Sequence, residues 1–345
     1  MRISLRAAAM VMVVLSAALA GAAPKGKLRQ IAVVDLPGRP GFDDSLFANG
    51  MLLIAHHGSD SVDIFDPVKR RLTGRVEGVS DPRGMALDPQ SGIVYIAAAG
   101  TNSIVALNSK SWKVDGVIGL KRTPDAVLLL PGLNSLLITN PGSNAVSLIS
   151  TESLGRKEAE LQNLDLQGRP NSLAWDAERH VAYVSVEDRK EIIVLDPSRP
   201  EQAIVRRISL EGASQPTDLV FDPSSRSLLV AVRFAVLQID ADGGKEVARV
   251  PAAAGVDRLW LDGSGSSLYA AADDGSLSII SLQGGKMTGS AEFYAGVRGK
   301  AVAADPVSKM VYLAGGKDGH SKMVILKPAN VAAAATSEVE TAQKQ

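Results

Sequence analysis

The chain has 345 residues and not one cysteine. That excludes disulfides, thiolate nucleophiles, cysteine-bound metals and the acylated cysteine of a lipoprotein. Aromatic residues supply only 4% of the chain. A core must therefore be built from Val, Leu, Ile and Ala, and the three tryptophans (Trp112, Trp175 and Trp260) form no stacking platform. Neither sign of charge is in excess, with 37 Lys+Arg against 37 Asp+Glu. A general nucleic-acid or membrane-surface binder would normally be basic, so that class is disfavoured. No G-x-S-x-G elbow, HExxH helix, Walker loop or G-x-G-x-x-G strand–helix junction occurs. Long apolar runs are scarce too: after Ala7–Ala20 nothing approaches a membrane span.

What is present begins with that N-terminal stretch. Arg2 and Arg6 precede the apolar run, and Ala18-Leu19-Ala20 and Ala20-Gly21-Ala22 are both A-x-A-like cleavage sites. The pattern predicts a secretory signal over residues 1–22, with a retained anchor as the alternative. No twin arginine is present. A cysteine-free chain suits the bacterial periplasm or the medium. Removing two arginines leaves the mature chain slightly acidic.

With 46% apolar residues, a large core is affordable. The rest of the chain repeats a unit of about 43 residues, the length that marks a propeller blade. In six copies a residue, usually Asp, is followed seven positions later by an aromatic or Leu that opens an apolar run. The pairs are Asp88/Tyr95, Leu130/Leu137, Asp176/Tyr183, Asp222/Leu229, Asp262/Tyr269 and Asp305/Tyr312. A seventh copy, Asn49/Leu53, has a tighter Asn-Gly turn. Each unit reads as four short antiparallel strands, a to d, joined by turns rich in Asp, Pro, Gly and Asn. Strands a and b are apolar on both faces, as in Leu136-Leu137-Ile138. Strand d carries charge, as in Val205-Arg206-Arg207-Ile208, which suits an outer edge. The expected fold is all-β: a seven-bladed β-propeller over residues 28–328. The last unit lacks strand d and the first has a strand to spare, Gln30–Leu36. That strand is expected to complete blade seven and close the ring. Residues 329–345 read as a disordered C-terminal tail.

In a propeller the residues before strand a and the b-to-c loops share one face of the central channel. Counting back from each turn assigns one residue per blade to the channel mouth: Asp44, Arg83, Asp125, Asn171, Thr217, Asp257 and Lys300. All seven are polar and their charges are mixed. They are the candidate ligand-binding residues, against the plainer reading of a wet, solvated channel. The b-to-c loops add His56-His57-Gly58-Ser59-Asp60, Gly142-Ser143-Asn144, Glu187-Asp188-Arg189, Asp273-Asp274-Gly275 and the Gly315–His320 stretch. Blade five, Val232-Arg233-Phe234-Ala235, leaves almost no loop, and the face should be notched there. His56 and His57, adjacent on an extended segment, point to opposite sides and do not chelate one metal. His180 falls in an a-to-b turn on the opposite face. No catalytic set is assembled.

The unit Pro-x-x-apolar-x-x-Asp-Pro, then Tyr95-Ile96-Ala97-Ala98, then polar-Asn-Ser-Ile-Val, resembles the YVTN-repeat β-propellers. Leu137-Ile138-Thr139-Asn140 matches the name-giving tetrad in three of four positions, and His56 occupies its Asn position. The resemblance covers residues 28–328. It implies an exported, seven-bladed binding or surface protein. The expectation drawn for this chain is a monomer without a cofactor that binds a protein, peptide or small-molecule ligand. A narrower stretch, Arg169-Pro170-Asn171-Ser172-Leu173-Ala174-Trp175, resembles the gluconolactonase-like propellers. That likeness implies an alternative, a lactonase-type hydrolase with a divalent metal such as Ca2+ in the channel, held by Asn171 with Asp44 and Asp125.

Overall fold

The computed structural model describes residues 28–155 and 160–329. The expected signal over residues 1–22 and nearly all of the tail lie outside them.

The turn aspartates do what their chemistry suggests. The Asp88 carboxylate accepts the Gln90 N–H at 2.9 Å, and Asp176, Asp222 and Asp305 accept the N–H two residues on in the same way. Each such Asx turn closes an a-to-b hairpin, and in blades two and seven backbone bonds across the turn, such as Asp88 N–H to Ile93 O and Asp305 N–H to Met310 O, close it as well. Blade one uses Asn49-Gly50 instead, with both residues at positive φ. Strand c ends in the same device, with Asp66 and Asp196 accepting from Val68 and Ser198.

Seven four-stranded antiparallel sheets result. Blade two is typical: Pro82–Leu87, Ile93–Ala98, Ser103–Asn108 and Lys113–Gly119. Blade seven takes its first three strands from Arg298–Ala304, Val311–Lys317 and His320–Pro328, and its fourth from the opposite end of the chain, Leu28–Leu36. The closure expected from the spare N-terminal strand is therefore real. Among the described residues helical structure is confined to three-residue 3-10 turns.

Every strand b is almost wholly buried, as in Ile93–Ala98 and Ser227–Val232. The apolar core is divided into seven clusters, each shared by two neighbouring blades. The cluster joining blades seven and one holds Leu36, Phe42, Ile54, Phe65, Tyr312 and Ile325. Closing the ring thus buries as good a core at the chain's two ends as anywhere else. Trp175 and Trp260 pack against these clusters, and His180 is exposed at φ 54° in its turn.

Candidate functional site at the channel mouth

Register settles which side chains share a level. Strand b residues Ile54, Ile96, Ile138, Val184, Val230, Ala270 and Leu313 face Ser45, Met85, Val127, Leu173, Leu219, Leu259 and Val302 of strand a. Two residues before each partner stand Asp43, Arg83, Asp125, Asn171, Thr217, Asp257 and Lys300. Six members of the expected ring hold their places. In blade one the level residue is Asp43, not Asp44. The tight Asn49-Gly50 turn starts one residue later relative to the paired strands than the longer turns do, so counting back from it stops one residue short.

Asp44 has another task. Its carboxylate accepts the Ser45 N–H at 2.8 Å and, across the seam to blade two, the Met85 N–H at 2.9 Å. Burial raises its pKa. Asp218, which sequence reasoning passed over, does the same between blades five and six. It is buried, accepts Leu219 N–H at 2.9 Å and Leu259 N–H at 2.7 Å, and also takes the Ser172 hydroxyl. Both residues are stitches between innermost strands.

Asp43 is the hub of the mouth. It is 4% exposed. Arg258 reaches it at 2.8 Å and Lys300 at 3.3 Å, with Arg83 at 3.9 Å. Burial works against the charge, yet Arg258, Lys300 and Arg83 hold its pKa down to about 2. Lys300 also pairs with Asp257, and Arg83 pairs with Asp81 at 3.0 Å. Arg258 was missed in the sequence; its signal was an arginine inside the apolar strand Val256–Leu261. Thr217 donates its hydroxyl to the Val256 carbonyl at 2.6 Å, joining blades five and six.

The connector that carries Asp43 is itself pinned. His56 is fully buried, the last residue of strand Met51–His56 rather than part of a loop. Its ring lies on Phe42 with centroids 4.1 Å apart. Nε2 faces the Arg39 carbonyl at 2.7 Å, so it carries a proton and donates, and Nδ1 faces Asp63 at 2.9 Å. Arg75 binds Asp63 at 2.6 Å and the Pro37 carbonyl at 2.7 Å, and Ser321 donates to Gly38 O at 3.0 Å. Three consecutive carbonyls of the segment are thus held. His57 projects the other way; burial, with Arg83 nearby, lowers its pKa.

Two cavities flank the hub on this face. One, of about 570 Å³, is lined by Ser214, Gln215, Thr217, Arg233, Asp257 and Asp273, among others. It lies at the short blade-five loop, where the notch was expected. The other, of about 510 Å³, spans blades two to four and is lined by Arg83, Asp125 and Asn171 with Pro124, Pro141 and Pro170, among others. Burial, then the neighbouring Asp43, push the Asp125 carboxyl up to about 6. The Asp125 backbone is fixed on both sides: its N–H donates to Thr139 O at 2.9 Å and its carbonyl accepts Gly84 N–H at 3.0 Å. Gly84 is required there, because a Cβ would come 2.8 Å from that carbonyl oxygen.

Asn171 and Asp125 share a cavity, but Asp44, the third residue of the metal alternative, does not line it and has both oxygens occupied by N–H donors. Two ligands fall short of a divalent site. Among the described residues no three His, Cys, Asp or Glu side chains are grouped to hold a metal.

No family model matches this chain, and no curated protein matches it either. Solved structures do: a chain titled Kuenenia stuttgartiensis Hydrazine Synthase superposes with a TM-score of 0.69 at 17% identity, over 86% of this chain and 97% of that one. At that identity the likeness establishes the fold alone. The chain is a seven-bladed β-propeller, and the finer YVTN-repeat assignment has no family model behind it. Among the described residues no helix is long and apolar enough to cross a membrane.

Proposed function

We propose that this protein is an exported, non-catalytic binding propeller that takes a small polar ligand, or the polar side chains of a partner, at the channel mouth. One observation carries the reading. The two mouth cavities are lined by Arg83, Asp125, Asn171, Thr217 and Asp257, five positions of a polar ring that carries five residue types over seven blades. The turn position holds Asp in five of the seven blades, the mouth position in three. Sites of a few hundred cubic ångströms with a few convergent polar groups are the usual form of a ligand pocket. The N-terminal signal pattern supports export.

The test is a thermal-shift screen of the mature protein against succinate, glycine, n-butylammonium, glucose and the ions Ca2+, Mn2+ and Zn2+. A ligand that binds only the folded state raises the melting temperature by mass action. A shift abolished by Gln215→Ala or Asn171→Ala, without turnover of the ligand, is the expected result. A stoichiometric divalent metal lost on Asn171→Ala would replace this reading with the lactonase-type hydrolase. No shift with any probe would remove it.

A further inference from the structure

We propose that the cavity across blades two to four binds an organic cation, an ammonium group on a short apolar stem, with Asp125 as its counter-charge and Asn171 beside it. This deepens, and rests on, the reading of the mouth as a binding face. The first ground is a count of partners. Of the charged groups lining this cavity, Arg83 pairs with Asp81 at 3.0 Å and Arg169 with Glu187 at 2.9 Å. The cations of the adjoining hub are also engaged, Arg258 by Asp43 and Lys300 by Asp43 and Asp257. Asp125 is left over. Among the described residues only its backbone is hydrogen-bonded; its carboxylate has neither a hydrogen bond nor a close ion pair. Three acids against two bases leave the lining one negative charge in excess.

The second ground is the wall. Pro124, Pro141, Pro170 and Ala99 are apolar, and prolines lose little entropy on binding. An apolar wall with one carboxylate outside the arginine pairs suits an organic cation better than a hydrated metal ion, which needs several oxygen ligands. It suits an anion least, since both lining arginines are already neutralised. The blade-five cavity differs in kind: Lys190 and Arg233 balance Asp257 and Asp273 there. The third ground is preorganisation. Thr139 O and Gly84 N–H fix the Asp125 backbone, so the carboxylate is presented from a rigid strand end.

The experiment is titration of the mature protein with n-butylammonium, followed by NMR, beside n-butanol and n-butyrate as neutral and anionic counterparts. The ammonium probe is expected to bind at least tenfold more tightly than either. Asp125→Asn should weaken it at least tenfold, while Glu201→Gln, an exposed acid away from the mouth, leaves it unchanged. Affinity should also fall below about pH 6, where Asp125, faced by Asp43, Arg83, Arg258 and Lys300, takes up a proton. Equal binding of butylammonium and butyrate, or an Asp125→Asn variant within twofold of wild type, overturns the cation assignment. If succinate or glucose binds at the mouth and butylammonium does not, this inference fails and the binding reading stands. If no probe binds, both fall.

Discussion

Replacing Asp125 with Asn should make the protein more stable. The change keeps the side chain's shape and removes its charge. In the folded protein burial, then Asp43, raise the carboxyl from 3.8 to about 6. Holding it ionised at neutral pH therefore costs up to about 3 kcal/mol, at 1.36 kcal/mol for each unit of pKa. The group is half-buried, so solvent screening trims the figure, and the Asn amide has a smaller desolvation cost of its own. A gain of about 1–2 kcal/mol is expected, roughly 2–5 °C in melting temperature for a chain of this size. The pH dependence carries the proof. An acid whose folded pKa is raised binds its proton more readily folded than unfolded. Wild-type stability from this group therefore rises as pH falls from above 6 toward 3.8, and the variant lacks that rise. The gap between the two proteins should be full at pH 7.5 and reduced to about a third of that at pH 4.5. Other raised acids, Asp44 and Asp218 among them, are common to both proteins and cancel. Melting curves of the pair at the two pH values are the assay. A variant less stable at pH 7.5, or a gain of equal size at both, would refute the electrostatic account of this residue.

Two further perturbations test the rest of the mouth and the ring. Asp43→Asn leaves Arg258, Lys300 and Arg83 facing one another without the carboxylate that joins them. A loss of about 3–5 kcal/mol in urea unfolding is expected at pH 7, as for breaking a buried ion pair from one side. Because Asp43 is held near 2, its pairing stabilises above 3.8 and is lost as pH falls toward 2, so the difference should narrow in that window; a loss under 1 kcal/mol would show the cluster to be solvated. Deleting residues 28–36 removes the outer strand of blade seven and part of the core it shares with blade one. The cooperative melting transition should drop by more than about 10 °C, and an unchanged transition would mean that the ring closes by some other contact.

Most of the fold was legible because its determinants are local. The turn aspartates act on the N–H two residues away, and strand b is apolar on both faces because every blade is packed on two sides. Both facts leave a period in the sequence. The hydroxyls of Thr139 and Ser185 on strand b were not read in this way: they accept the N–H groups of Ala126 and Ser172 at the mouth, thirteen residues back in the chain. The site was legible in outline and misphased in one blade. A two-residue hairpin and a longer Asx turn displace strand a differently, and only the pairing of Leu46 with Leu53 shows by how much. His56 was hidden for another reason. Its partners Asp63, Arg75 and the Arg39 carbonyl come from three other segments, so nothing near it in sequence marks it as the pin of the connector.

That one-residue phase divides two kinds of position. In three blades the residue directly before the paired strand-a residue is a short acceptor, Asp44, Ser172 or Asp218, and it accepts the N–H of the corresponding strand in the next blade: Met85, Leu219 and Leu259. These side chains tie neighbouring blades together, whereas blade six holds Arg258 at that position and pairs it with Asp43. One residue further out the side chains line the mouth, and Thr217 also bonds across the seam to Val256 O. There a residue can be kept although it destabilises the fold. Asp43 and Asp257 offset their own burial by pairing with the mouth cations. Asp125 makes no such pair, and the more distant Arg258, Arg83 and Lys300 offset only part of its burial. A charge that the scaffold neither uses nor neutralises is best explained by something that arrives from outside and pairs with it.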